Sequence, residues 1–228
     1  DCKICIIDSM PTVGRKFLMA GKSGLNITTS KSNFLKEYSE SEHWITPIIK
    51  KFGPEEIMNF CQSLEEDVFF GSSGKVFPKS MKTSPLLRAW LVSLKMSGVD
   101  IKTSSRWIDF SGSESFLRSG NLSNVVQFNR GNYFINSRAT LLAVGGASWP
   151  RLGSDGKWYG ILQKYLDNRK ISLVPFCAAN MGVTIRWSSQ MMKFEGKPVK
   201  QIAIKVNGKS KKGEFVITNS GFEGGVIY

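Results

Sequence analysis

Long apolar runs are scarce in this sequence. The runs at residues 4–7 and 141–144 are far too short to cross a bilayer, and no charged, apolar and small-residue pattern typical of a signal peptide opens the chain. These two absences argue against a membrane protein and against secretion. A soluble cytoplasmic protein is therefore the class that we expect.

Residue types that bind metals are also few, with four cysteines and a single histidine, His43. Cys2 and Cys5 have C-x-x-C spacing, but Cys61 and Cys177 are isolated, so a four-ligand zinc site lacks its second pair. Because Cys2 and Cys5 fall in a strand-like run rather than at the start of a helix, we interpret them as small apolar residues. We expect no metal site.

Two phosphate-binding motifs are missing. The sequence contains no G-x-G-x-x-G, which would stand about 20 residues before an acid that ends a nucleotide-binding strand. A P-loop follows G-x-x-x-x-G-K-[ST], whereas Gly14 and Gly21 are too far apart for that spacing. A magnesium-dependent P-loop enzyme is therefore only a minor alternative.

Acidic residues are outnumbered, 18 against 31 Lys and Arg, which gives a formal net charge of +13. Such a balance raises the question of an anionic partner. The cations are nevertheless spread along the chain, and the one dense cluster, KSKKG at residues 209–213, is predicted to be a solvated hairpin tip. Nucleic acid is therefore the less favoured partner.

The order of apolar patterns predicts an α/β fold. A strand-like run at residues 3–8 is typical of a parallel strand covered on both faces, and helical patterns follow at residues 32–64, with a start at Pro54. The clearest helix spans residues 85–97, with Ser84 as its cap and Gly98 at its end. β-prone runs and an apolar return strand at residues 139–144 come next. We predict a Rossmann-type domain with a parallel sheet and a β-meander crossover.

The pattern changes near Pro175. Alternating segments at residues 183–187, 200–206 and 214–218 predict an antiparallel β-rich region. We therefore predict a Rossmann-like domain over residues 1–174 and the start of an inserted β-rich domain over residues 175–228. Since the chain opens almost directly on a strand and stops on an apolar run, we expect both ends to be truncated.

Three segments could carry ligand chemistry. Asp8 ends a strand, where an acid can accept hydrogen bonds from ribose hydroxyls. The glycines and cations of residues 14–24 offer backbone N–H groups beside positive charge, which suits a pyrophosphate, or else form a flexible surface loop. Gly145 and Gly146 follow an apolar run, either to admit a ligand close to the backbone or to make a plain turn.

Four segments, at residues 11–28, 70–91, 141–160 and 217–228, resemble in that order the bacterial NAD(P)/FAD-dependent oxidoreductases of the BaiN/RdsA type, also called the aminoacetone oxidase family. The resemblance implies an FAD-binding domain interrupted by a β-rich domain. It also implies an enzyme that holds FAD as cofactor, accepts hydride from NAD(P)H as co-substrate and passes electrons to an organic substrate. No catalytic side chain stands out.

Carried over by position, the family implies a cofactor contact for fourteen residues. Asp8 would meet the adenosine ribose, and the pyrophosphate would lie near Gly14, Arg15 and Lys16. The flavin end would be approached by Gly21, Ser23, Gly24 and Asn26. The loop that closes on the cofactor would contain Gly145, Gly146, Ser148 and Pro150, and the next helix would start at Asp155 and Gly156.

This sequence departs from the family at residues 21–26. Many members have Gly-Gly-Gly-Arg-Cys-Asn where this chain has Gly-Lys-Ser-Gly-Leu-Asn, so roles that depend on that Arg or Cys do not transfer, and the substrate is open. A non-enzymatic nucleotide- or nucleic-acid-binding module is the competing interpretation, and a degenerate remnant with neither function is a third. We predict an enzyme in the intact protein and an inactive isolated fragment.

Overall fold

The computed structural model describes residues 2–20, 24–38, 42–71, 74–111, 122–128, 131–165, 172–178 and 180–227. Its internal contacts divide the chain into two compact units, Asp1–Leu173 and Val174–Tyr228. Among the described residues, no helix is both long enough and apolar enough to span a bilayer.

A short parallel sheet carries the first unit, formed by strands β1 (Cys5–Ile7) and β5 (Asp100–Lys102). The ladder continues past β1, because the Asp8 N–H donates to the Lys102 carbonyl at 2.9 Å. The predicted parallel strand is confirmed. Ile6 and Ile7 are only half-buried, so the expectation that both faces of β1 are covered is wrong for the described part of the chain.

The segment between β1 and β5 is mainly helical. Its helices are α1 (Arg15–Ala20), α2 (Glu42–Lys51), α3 (Pro54–Ser63) and α4 (Thr83–Met96), with a 3-10 turn at Phe34–Tyr38. As predicted, α3 begins at Pro54, and the Glu56 carboxylate accepts from the Gly53 N–H at 2.8 Å. Helix α4 begins at Thr83, after Lys82, and has no side-chain cap, so the predicted cap at Ser84 is wrong.

The core of this unit lies between the helices and a small antiparallel sheet. That sheet contains β2 (Thr28–Thr29), β3 (Val68–Phe70) and β4 (Lys75–Pro78), in the order β2-β4-β3. The buried cluster consists of Leu25, Cys61 and Leu86, surrounded by Phe17, Ile27, Leu64 and Val68. Helix α4 turns Leu86 and Leu87 into the interior as its apolar spacing predicts, whereas Trp90 is 39% exposed.

An antiparallel meander follows β5, as predicted. Its strands are β6 (Ser105–Ser111), β7 (Leu122–Phe128) and β8 (Gly131–Ser137). The register of β6 against β7 shifts between Trp107 and Asp109, which marks a β-bulge. The Ser105 N–H donates to the Asp8 carbonyl at 2.9 Å, so the meander begins directly beside the end of β1.

The apolar run at residues 139–144 is not a strand, so that prediction is wrong for the described chain. Leu141 in this run is 91% exposed. A strand is held by ladder hydrogen bonds to a neighbour, and no described strand pairs with this segment. Apolar composition alone therefore does not place the segment in a sheet.

The second unit is an antiparallel sheet with the strand order β10-β11-β12-β9. Its strands are β9 (Val183–Thr184), β10 (Pro198–Val206), β11 (Lys209–Thr218) and β12 (Gly221–Glu223), with a short helix α6 at Ser189–Met192. The lysine cluster begins β11 rather than forming the hairpin tip, which lies at Asn207 and Gly208. Its side chains are exposed at the end of a two-stranded ribbon.

Replacing Gly221 by Ala is expected to destabilise the second unit. Gly221 has φ +152°, and a Cβ there would lie 1.8 Å from the Val183 carbonyl oxygen, so β12 and β9 must separate. Such a backbone clash costs about 3 kcal/mol or more of unfolding free energy, measured as a lower midpoint of urea unfolding. Gly225→Ala is the control, since a Cβ there meets nothing within 4 Å. Equal midpoints for the two variants would contradict this account.

Candidate functional site

Asp8 lies at the carboxyl end of β1, half-buried, with its side chain held in one direction. Its Oδ1 atom accepts from the Met10 N–H at 2.8 Å, and its carbonyl accepts from the Ser105 N–H at 2.9 Å. A carboxylate has about four lone-pair sites, so the contact with Met10 leaves capacity for further donors such as hydroxyl groups. In open α/β folds, ligands bind at the carboxyl ends of the strands, and Asp8 lies at such an end.

Helix α1 carries the predicted phosphate-binding cations. Gly14 directly precedes it and lies against α4, since a Cβ on Gly14 would be 2.8 Å from Leu87 Cδ2. Arg15 is half-buried, whereas Lys16 is exposed. The Lys16 Nζ donates to Ser148 Oγ at 3.1 Å, which joins positions 132 residues apart in the chain.

The flavin-end segment is described only in part. Gly21 and Ser23 lie outside the described residues. Gly24 approaches Met81, because a Cβ on Gly24 would be 2.6 Å from Met81 Cε. Asn26 is exposed and follows the buried Leu25. Leu25 thus anchors the segment in the core, and the Asn26 side chain lies on the surface.

The loop at residues 145–156 is closed on itself. Gly145 has φ +71°, and a Cβ there would be 2.8 Å from Ser154 Oγ, so this turn requires glycine. Ser154 is 6% exposed and forms an antiparallel bridge with Trp149. The indole Nε1 of Trp158 donates to the Gly145 carbonyl at 2.9 Å. These contacts order the loop without help from a ligand.

One side of the same loop is open. Gly146 follows the Gly145 turn, and a Cβ on it would meet nothing within 4 Å. Ser148 and Pro150 are exposed, and Pro150 begins a 3-10 turn, Pro150–Leu152. The adjacent glycines therefore differ, because Gly145 is confined by the fold and Gly146 faces free space.

Asp155 is engaged by the protein itself. Its Oδ2 lies 3.1 Å from Arg106 Nη1, and its Oδ1 accepts from the Lys157 N–H at 3.2 Å. Helix α5 (Trp158–Gln163) begins after Lys157 with no side-chain cap, so the predicted cap at Ser154 or Asp155 is wrong. The Gly156 carbonyl accepts from the Tyr159 N–H at 3.0 Å, within the first turn.

The structure brings the two predicted segments together. Lys16 reaches Ser148, and a Cβ on Gly153 would lie 2.9 Å from Met10 Cγ. The end of β1, the start of α1 and the loop at residues 145–156 are therefore neighbours. That these residues hold a cofactor stays a prediction.

A comparison with known protein families identifies the family of this chain. A family model described as "HI0933-like protein Rossmann domain" matches residues 1–171. The chain belongs to this family. The HI0933-like family is the flavoprotein family that the four ordered segments resemble, so the predictions of family and of a Rossmann-type α/β fold are confirmed.

One curated relative is similar to this HI0933-like chain. It is named 3-dehydro-bile acid delta(4,6)-reductase, comes from Clostridium scindens and is 26% identical over 164 residues. The alignment covers 71% of this chain and 37% of the relative. The chain therefore matches well under half of the relative's length.

Sequence patterns missed two contacts of this HI0933-like chain. One is the ion pair of Arg106 with Asp155, and the other joins Asp109 in β6 to Lys164 and Tyr165 after α5. Neither has a local signature, because charged residues on a β-prone run are ordinary. Among the described residues, no group of three His, Cys, Asp or Glu side chains converges as metal ligands would.

The hydrogen bond between Tyr165 and Asp109 changes the titration of both groups. Burial, together with the hydrogen bond to Asp109, raises the pKa of Tyr165 to about 12. Burial alone would raise the pKa of Asp109, but hydrogen bonds from Tyr165 and Lys164 outweigh it and lower that pKa. The pair ties β6 to the end of α5, with the rings of Phe110 and Tyr165 5.7 Å apart.

Asp109→Asn is expected to lower the pKa of Tyr165 from about 12 part of the way towards 10, because burial remains while the charged partner is lost. Phenolate absorbance in a pH titration measures this, with Tyr165→Phe identifying the signal. Because the pKa of Tyr165 is higher in the folded than in the unfolded protein, this shift stabilises the folded state below pH 10. The stabilisation is lost as the pH rises towards 12. An unchanged titration in Asp109→Asn would refute the contact.

Proposed function

We propose that this chain forms one side of the FAD-binding cleft of a flavin-dependent oxidoreductase. The observation that carries the proposal is the hydrogen bond from Lys16 to Ser148, 3.1 Å long. It joins α1, which follows the proposed ribose-binding residue Asp8, to the loop at residues 145–156. Two segments that the family resemblance assigns to one cofactor are thereby in contact.

The residues of this cleft fit the parts of FAD. Asp8 is an acceptor for ribose hydroxyls at the end of a parallel strand. Arg15 and Lys16 supply positive charge for a pyrophosphate. The free space beside Gly146 would let a planar ring approach the backbone, as a side chain there would not.

Bound FAD would supply the hydride and electron transfer. The chain itself would orient the cofactor through Asp8, neutralise phosphate charge through Lys16 and keep the backbone at Gly146 accessible. We assign no acid-base role to any side chain. NAD(P)H is the proposed donor, and an organic compound is the proposed acceptor.

The reductase relative supports the reaction class. Its name describes the reduction of a 3-dehydro-bile acid, and we take from it only that the acceptor is organic. The substrate of this chain is left open, because residues 21–26 depart from the family pattern. Since the sequence contains no G-x-G-x-x-G phosphate loop, we expect the isolated chain to be inactive as an enzyme. A cytoplasmic location remains a prediction.

Gly146→Val is expected to weaken FAD binding about ten-fold without changing the urea midpoint, because the new side chain would occupy space that only the cofactor needs. Quenching of flavin fluorescence in a titration gives the affinity. Gly225→Val is the matched control, since a Cβ at either glycine meets nothing within 4 Å. Lys16→Ala is expected to lower affinity as well, and more strongly at low salt.

The absorbance spectrum of the purified protein can overturn the proposal. A protein with its full native sequence that is colourless when purified and takes up no added FAD is not a flavoenzyme. If the same protein retained nucleic acid in a salt-sensitive way, the competing binding module would replace the proposal.

A further inference from the structure

The loop at residues 145–156 is ordered internally but weakly anchored. Its turn is closed by Ser154 and Trp158, yet the following helix α5 has no buried residue, and Trp149 is 46% exposed. Apolar burial therefore contributes little to fixing where the loop lies. Its position relative to Asp8 and α1 therefore depends on a small number of polar contacts, together with the packing of Gly153 against Met10.

Strand β6 supplies contacts at both ends of α5. Before the helix, Arg106 Nη1 lies 3.1 Å from Asp155 Oδ2. After it, Asp109 accepts from Lys164 Nζ at 3.1 Å and from the Tyr165 hydroxyl. The β-bulge between Trp107 and Asp109 separates these two attachment points along the strand.

The first residues of β6 and the residue before it also hold the end of β1 and the turn that follows it. The Ser105 N–H donates to the Asp8 carbonyl at 2.9 Å, and the Ser104 N–H donates to the Met10 carbonyl at 2.8 Å. Ser105 is 2% exposed, and its hydroxyl donates to the Thr103 carbonyl at 2.9 Å. Ser105 thus binds the end of β1, and its neighbour Arg106 binds the loop.

We propose that Ser105 and Arg106 set the spacing between the end of β1 and the loop at residues 145–156, with Arg106 as a positioning residue for that loop. The inference rests on the proposed function, because the spacing matters only if a ligand occupies the cleft. Arg106 acts through Asp155, whose side chain is 14% exposed. Breaking this ion pair removes the link between β6 and the start of α5, so among the described residues the loop keeps only its contacts with Lys16 and Met10, while the ladder at Asp8 stays in place.

The experiment compares Arg106→Gln, Asp155→Asn, the double variant and Arg106→Lys in two measurements. Trypsin cleavage after Arg151 and Lys157, followed without FAD, reports the freedom of the loop. An FAD titration reports its position. Each single variant is expected to speed cleavage and to weaken FAD binding about ten-fold, the double variant to add little, and Arg106→Lys to recover most of the loss.

Lys79→Gln is the matched control, because it breaks another ion pair, with Asp67 at 3.0 Å, whose side chains are 65% and 66% exposed. It is expected to change neither measurement. Cleavage and FAD affinity within two-fold of the parent in Arg106→Gln, or an equal loss in Lys79→Gln, would overturn the inference. Absence of FAD binding by the unmodified protein would instead refute the proposed function, while the cleavage rates would still test the positioning by Arg106.

Discussion

A short parallel ladder determines where the residues of the proposed cofactor site lie. β1 and β5 contribute only three residues each, but the ladder continues because Asp8 donates to Lys102 and accepts from Ser105. Parallel pairing places both strand ends at one edge of the sheet, so β6 leaves that edge beside Asp8. The loop at residues 145–156 then attaches to β6, and α1 reaches the same loop through Lys16.

Two adjacent glycines of the loop, Gly145 and Gly146, differ in their structural roles. Gly145 has a left-handed backbone and no room for a side chain, so its glycine is explained by the fold alone. Gly146 has neither constraint, since the space around it is open. The fold therefore explains why position 145 is a glycine and does not require one at position 146. The order of the loop and its openness are therefore properties of different residues.

Apolar periodicity and the positions of Gly and Pro predicted several elements correctly. The parallel strand that ends at Asp8, the start of α3 at Pro54 and the antiparallel meander are all present. The cap of α4 was misplaced, because the helix extends to Thr83, upstream of Pro85. The run at residues 139–144 failed as a strand, because its apolar residues say nothing about which strand lies beside them.

By itself, the sequence determined the family, the start of α3 and the presence of an acid at the end of a strand, because each can be recognised from residues within short segments of the chain. Only the tertiary structure decided that Lys16 meets Ser148, that Asp155 is held by Arg106, and that Gly146 but not Gly145 faces open space. These contacts join distant segments. Their geometry follows from how strands and loops pack, which no local pattern of residues encodes.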